Sequence, residues 1–282
     1  MKEQDVMHVT RFAPSPTGYL HLGHAYAALI AQRESVGGRF LLRIEDIDVG
    51  RCRSEYADAI IEDLSWLGLK WEEPVRFQSQ HMEDYVEVLK KLRDIGVLYP
   101  CFCTRSDIAR EAAKSASAPH AADGTLIYTG TCKKLSAQEC DDRLASGSSV
   151  NWRLDVELAA KMAGNLFWHD RTHGKIKATP EMFGDVVLAR KDIKAGYHLC
   201  VTLDDHLQGV TLVTRGEDLF ASTHVHRLLQ ALLGFNVPEY FHHPLVLDEN
   251  GKRYAKRDKS VTLRALKNAG EDPGVLRGKL AV

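Results

Sequence analysis

The sequence predicts an α/β fold, a parallel sheet wrapped by crossover helices and interrupted by an insertion, and three observations carry that expectation. Strand and helix patterns alternate from Val6 onward, the alternation is lost from about Ser106, and a strand-then-helix pattern returns at VTLVTRGEDL, Val210 to Leu219. Apolar runs that switch from strand to helical spacing and back are what a parallel sheet with crossover helices writes into a chain.

Taken in order, Val6 to Phe12 reads as a strand, APSPTG as a tight loop, and Ala25 to Ile30 as part of a helix. RFLLRIE, Arg39 to Glu45, is the second strand, followed by helical spacing through Tyr56, Ile60, Ile61, Leu64 and Leu67. A helix covers Met82 to Ile95, and Ser106 to Gly130, rich in Ala, Ser, Gly and Thr, is the inserted loop. Alternating segments at Val150 to Val156, Asn165 to His169 and Gly184 to Arg190 suggest a small β-rich insertion, and the tail beyond Thr262 reads as one short helix.

The 282 residues, 44% hydrophobic and 27% charged, suffice for one large α/β domain or a core domain with an insertion. Thirty-seven Lys and Arg nearly cancel 38 Asp and Glu, so any RNA contact must rest on local patches. Met1 to Asp5 reads MKEQD with no apolar stretch behind it, and no run approaches the roughly 18 apolar residues of a membrane span. A cytoplasmic protein with no membrane contact is expected. Its six cysteines, in a chain with no export signal, suit reduced thiols or metal ligands better than disulfides.

The first chemical constellation lies between the first strand and first helix, in RFAPSPTGYLHLGHAYAAL. Two prolines fix the loop, Gly18 and Gly23 allow close approach, and His21 and His24 open the helix. Helix N-termini behind strand ends attract phosphate through free N–H groups and the helix dipole. Two imidazoles at this spacing can bond one triphosphate; alternatively they are capping or surface histidines. Far along the chain, Lys252, Arg253, Lys256, Arg257 and Lys259 face one anion, Asp258, a composition suited to closing over phosphates or to a solvated basic loop.

Arg11, Arg215 and Glu45 sit at the ends of expected strands, where ligand-facing residues of such sheets lie, and are candidates to pair carboxylate and ammonium groups. Cys101 and Cys103, with Tyr128 and Cys132 in Y-x-x-x-C, would make a closed four-coordinate metal site, with Cys140 and His120 as possible substitutes for the tyrosine. An ordinary buried phenol is the alternative for Tyr128, and Asp204, Asp205 and His206 look like structural hydrogen bonders just before a strand. His169 with His173, and His242 with His243, read as loop polarity.

From Arg11 to about Thr262 the chain resembles the glutamate and glutamine branch of the class I aminoacyl-tRNA synthetases. His21-Leu22-Gly23-His24 resembles the HIGH signature, and Arg253-Tyr254-Ala255-Lys256-Arg257 the KMSKS loop, with Arg253 and Ala255 departing from the usual lysine and serine. The resemblance implies a Rossmann-like catalytic domain. Residues 1–98 would form its first half, 99–190 a zinc-containing and connective α+β insertion, and 191–282 its second half, with no anticodon-binding domain.

It further implies ATP with Mg2+ as co-substrate at His21, Gly23, His24, Lys256 and Arg257, with His21, His24 and Lys256 catalytic. L-glutamate would be held by Arg11, Ala13, Ser15, Glu45, Tyr197 and Arg215, with Val201 standing where related enzymes carry a polar asparagine. The Cys-x-Cys and Tyr-x-x-x-Cys pairs are similar to those of the glutamyl-queuosine tRNA(Asp) synthetases, short paralogues of glutamyl-tRNA synthetase, and imply one structural zinc on Cys101, Cys103, Tyr128 and Cys132. The expected protein is a monomer that moves glutamate onto the queuosine base of tRNA(Asp). Its rivals are a truncated glutamyl-tRNA synthetase charging the acceptor end and a non-catalytic paralogue that binds glutamate or ATP.

Overall fold

The computed structural model describes residues 7–112, 126–191, 194–246 and 261–280. The first half runs β1 (Val9–Phe12), α1 (Leu22–Arg33), β2 (Arg39–Ile44), α2 (Ser54–Trp66), β3 (Glu72–Phe77) and α3 (Met82–Asp94). β1 pairs in parallel with β2, and β2 with β3. All but the first residue of β1 and of β2 are buried, as strands covered on both faces must be.

The middle of the chain contributes β4 (Leu98–Cys101), α4 (Arg105–Ala112), α5 (Ala137–Ala145), β5 (Asn151–Leu154), α6 (Val156–Ala163), β6 (Phe167–Asp170), β7 (Gly174–Lys177) and β8 (Val187–Ala189). β4, β5 and β8 make an antiparallel sheet of their own. The loop expected from Ser106 to Gly130 begins inside a helix, α4; its residues 113–125 lie outside the described residues.

The chain then enters α7 (Tyr197–Leu207), β9 (Leu212–Gly216), α8 (Ser222–Leu233) and β10 (Glu239–His243), and ends in α9 (Leu263–Asn268) and α10 (Pro273–Lys279). β9 and β10 are parallel, β10 pairs in parallel with β6, and β6 turns back into β7. Thus Phe167–Asp170, which the short alternating runs group with the insertion, pairs with a strand of the second half. Asp204, Asp205 and His206 lie on α7 rather than in a segment preceding a strand.

Main-chain groups of Val9 join the two parallel sheets at Thr211. The Thr211 amide donates to the Val9 carbonyl at 3.0 Å, and the Val9 amide to Thr211 Oγ1 at 2.9 Å. Strand order therefore runs β3-β2-β1 and onward through β9-β10-β6-β7. Crossovers leave in opposite directions on either side of the β1–β9 seam, and open α/β sheets bind ligands at such a reversal.

β2 feeds a separate apolar cluster from each face, since successive side chains alternate. Leu41 packs with Tyr85, Val213 and Tyr240; Leu42 and Ile44 pack with Leu20, Leu64, Leu263 and Leu276. The second cluster anchors the tail, where Thr262 caps α9 and Asp272 with Pro273 opens α10, two helices in place of the one expected. Burying a leucine such as Leu263 contributes about 2 kcal/mol. Among the described residues no helix is long and apolar enough to cross a membrane.

Candidate active site

The loop leaving β1 delivers His21 as the cap of α1 rather than as a residue within it. Its Nδ1 accepts from the Gly23 amide at 3.1 Å, while His24 Nδ1 accepts from the His21 amide at 3.2 Å. An Nδ1 that accepts leaves the proton on Nε2, so each ring carries a donor there. The ring centroids are 3.8 Å apart and the first turn of α1 holds no acidic residue, so the positive end of the helix dipole is not offset. Gly23 contributes its amide to the cap, not to a free cradle.

Thr262 bridges His21 in an antiparallel contact, and the Leu263 amide donates to the Leu20 carbonyl at 2.8 Å. The described chain therefore resumes directly on the helix-opening turn after the cationic segment. Lys256 and Arg257 themselves lie outside the described residues.

The same β1 loop, through Ser15 and Thr17, lines a cavity of about 430 Å³ together with Glu45, Gln78, Tyr197 and His198, among others. Glu45 is the first residue past β2, and its amide donates to the Pro14 carbonyl at 3.0 Å, which pins the β1 loop to the cavity wall. Ala13 is half-buried two residues before Ser15, which is exposed. Gly196 caps the start of α7; a side-chain carbon there would stand 3.1 Å from the carbonyls of Val187 and Leu188, a tight approach that glycine relieves where α7 begins against β8. Tyr197 follows, with Arg215, Glu45 and Arg11 all close enough to bear on its hydroxyl.

Three guanidinium groups and three carboxylates hold the wall together. Arg11 Nε donates to Asp205 at 3.0 Å and its Nη1 to the Thr214 carbonyl at 3.1 Å. The fully buried Arg43 reaches Asp205 at 2.8 Å, Glu45 at 3.3 Å and Asp204 at 3.7 Å. Asp204 also accepts from Arg76 at 2.9 Å, Gln78 at 2.8 Å and the Tyr85 hydroxyl. The structural role expected of the two aspartates is what these bonds display. Burial raises the Glu45 carboxyl above its ordinary value, against the opposing pull of Arg43 and Arg11.

Arg215, at the end of β9, is held by three side chains. Its Nε donates to His242 Nε2 at 3.1 Å, Nη1 meets His226 Nδ1 at 3.3 Å, and Nη2 donates to Thr223 Oγ1 at 2.5 Å. A guanidinium has five N–H donors, so two remain for a ligand. His242 in turn lies 2.7 Å from Asp170 through Nδ1. Burial and the Arg215 charge lower its pKa to about 3, so it is neutral, donating to Asp170 and accepting from Arg215. Burial and Arg215 likewise hold His226 neutral; it bonds His198 at 3.1 Å and so connects Arg215 to the cavity wall.

His242 and His243 are therefore not loop polarity. Both are buried in β10, and His242 supports the arginine. The usable signal was Phe241-His242-His243 continuing a strand, in which polar residues inside a sheet demand partners. His169 is likewise in β6, bonded to Glu239, while His173 bonds Asp170 from the turn after it.

The cysteine cluster lies at the end of β4. The sulfurs of Cys101, Cys103 and Cys132 are all within 4.8 Å of one another, Cys103 and Cys132 being 3.4 Å apart, and none is disulfide-bonded. Tetrahedral zinc with bonds near 2.3 Å would set sulfurs about 3.8 Å apart, so the three fit such an ion. The Tyr128 hydroxyl is 3.4 Å from Cys103 Sγ and accepts from the Cys132 amide at 2.7 Å, with the Arg153 guanidinium 4.1 Å above its ring. The sequence-expected quartet is thus one cluster. Cys140 is near enough to Cys132 to feel its charge but stands outside the group of close sulfurs.

Residues 7–281 match the family described as tRNA synthetases class I (E and Q), catalytic domain, and the chain belongs to that family. Within it the chain is 44% identical to the glutamyl-Q tRNA(Asp) synthetase of Rhodobacter capsulatus, over 95% of this chain and 98% of that one. It is 41% identical to the protein of the same name from Nitratidesulfovibrio vulgaris, over 96% of this chain and 85% of that relative. Among solved structures, a glutamate tRNA ligase of Elizabethkingia meningosepticum in complex with its amino acid superposes with a TM-score of 0.73 at 28% identity. That match covers 89% of this chain, which spans about half of the ligase, 52% of its length.

Proposed function

We propose that the protein activates L-glutamate with ATP and Mg2+ as glutamyl adenylate and transfers the glutamyl group to the queuosine base of tRNA(Asp). One observation carries the reading of the site. A cavity is walled by Glu45 and Tyr197, with Arg215 and Arg11 near enough to bear on the Tyr197 hydroxyl, and the β1 loop that lines it through Ser15 and Thr17 runs on into the helix start capped by His21 and His24. The queuosine acceptor is supported by relatives so named, similar to this chain over nearly their whole length.

Arg11 and Arg215 suit the glutamate carboxylates, each held by neighbours so that its remaining N–H groups are aimed. Glu45 suits the ammonium group, Ser15 and Tyr197 close the pocket, and Ala13 leaves room beside them. A glutamate carboxylate oxygen attacks the α-phosphorus, pyrophosphate leaves, and an RNA hydroxyl then attacks the acyl carbon and releases AMP. His21 and His24 stabilise charge on the phosphates, joined by Lys256 and Arg257.

No side chain needs to become a nucleophile, so positioning and charge stabilisation carry the chemistry. Cys101, Cys103, Cys132 and Tyr128 would hold a zinc ion, which when bound supplies a structural cross-link between β4 and the segment around Cys132. The decisive test offers labelled glutamate and ATP with queuosine-containing tRNA(Asp) or tRNA(Glu). Label should enter the first; label entering only the second would replace this reading with acceptor-end charging. Glutamate-dependent pyrophosphate exchange that is absent would leave a non-catalytic binder.

A further inference from the structure

Next to the active-site cavity lies a second groove, of about 380 Å³, whose chemistry the glutamate site does not use. Trp152 and Leu98 form its floor, on the antiparallel sheet where Trp152 pairs with Ala189. Lys90, Arg93, Arg190, Lys191 and Lys194 line it, and none of its described lining residues is acidic. Among the described residues Lys90, Arg93, Lys191 and Lys194 have no ion-pair partner, while Arg190 faces Asp48 at 3.9 Å. In a chain of net charge −1 this is a local concentration of positive charge around an aromatic ring.

The groove and the cavity share a wall. Arg190 lines both. The Arg93 guanidinium sits over the half-buried Trp152 ring, 5.9 Å from its centroid, so a base entering the groove meets a cation and an aromatic ring together. Backbone-tracking cations interleaved with an aromatic platform are how proteins hold single-stranded nucleic acid without reading its sequence. Splayed loop nucleotides are the form in which RNA offers such stackable bases.

We propose that this groove binds the single-stranded RNA flanking the acceptor nucleotide, with one base stacked on Trp152 and its phosphates against Lys191, Lys194 and Arg93. The inference deepens the proposed transfer to RNA and rests on it for the identity of the acceptor. It places the RNA strand on the β4-β5-β8 sheet, so that a nucleotide next to the stacked one crosses the Arg190 wall into the cavity.

The test measures binding and reaction separately, using fluorescein-labelled queuosine-containing tRNA(Asp) and the full chain. K191E/K194E should weaken RNA binding by at least about tenfold and lower the salt slope by about 1.5, while RNA-free pyrophosphate exchange stays at the wild-type rate. Trp152→Ala should weaken binding by about tenfold and Trp152→Phe should restore most of it, which separates stacking from simple loss of fold. If the wild type transfers glutamate and the charge reversals leave RNA affinity unchanged, the groove assignment falls and the proposed reaction stands. If the wild type binds the RNA, the reversals abolish that binding, and no glutamate is transferred, the groove stands and the reaction falls. Reversals that abolish binding of polyglutamate but not of RNA would overturn the assignment in favour of an acidic protein partner.

Discussion

At the scale of single residues, the site depends on side chains held by other side chains. His24→Ala and Lys256→Ala should each slow glutamate-dependent pyrophosphate exchange by about a hundredfold or more, with circular dichroism unchanged; wild-type rates in both would remove the phosphate-cradle assignment. Glu45 has its pKa raised by burial, so as pH falls its carboxylate protonates earlier than an ordinary glutamate and loses its attraction for ammonium. The KM for glutamate should therefore rise on the acid side above the usual carboxylate range, and Glu45→Gln should raise KM and flatten that limb. His242→Ala frees Arg215 Nε from its acceptor and should raise the glutamate KM about tenfold with little effect on ATP. Arg11, Glu45 and Arg215 were legible because each sits at a strand end. His242 was not, because two adjacent histidines near a proline look like a loop until β10 buries them.

Among elements, the buried ionic cluster binds β1, β2 and β3 to α7. Arg43→Leu leaves Asp204 and Asp205 without their central cation and should cost about 3–5 kcal/mol in urea unfolding; a loss below about 1 kcal/mol would show that the network is dispensable. Asp170, in β6, is held at a pKa of about 2: burial pushes it up, but hydrogen bonds from His242, His173 and two backbone amides more than offset this. A depressed carboxyl contributes stability above its unfolded value of 3.8, and that contribution is lost as pH falls through about 2. Asp170→Asn should accordingly remove stability at neutral pH and flatten the acid limb of the melting curve between those values. α3 and β2 were legible to within a residue at each end, whereas the apolar run Ala25 to Ile30 marks only the middle of α1 and leaves its polar ends unread. β6 was legible as an alternating segment but its partner was not, because so short a run carries no partner information; the pairing of Tyr240 with Asp170 shows where it belongs.

For the molecule as a whole, the parallel sheet and its reversal follow from the alternation of strand and helix, whereas the seam that makes the site does not. Nothing in either local pattern says that Val9 and Thr211 are neighbours; that follows from closing the sheet, and the motif resemblance supplied it only indirectly. The cysteine cluster was legible because thiol spacing is itself a chemical signal. Elemental analysis of protein never exposed to chelator should find about one zinc per chain, and Cys101→Ser or Cys132→Ser should lower both metal content and melting temperature. Zinc well below half occupancy in untreated protein would count against the ion.

The contact between Val9 and Thr211 spans 202 positions of the chain. At ribosomal speeds of about 5–20 residues per second, β1 therefore waits some 10–40 s after its own synthesis before the strand that completes its second edge exists. Through that interval the nascent protein carries an unfinished hydrogen-bonding border ready to accept any extended segment. Folding yield should consequently respond to translation rate and to chaperones that shield strands, more than thermal stability of the finished protein would suggest.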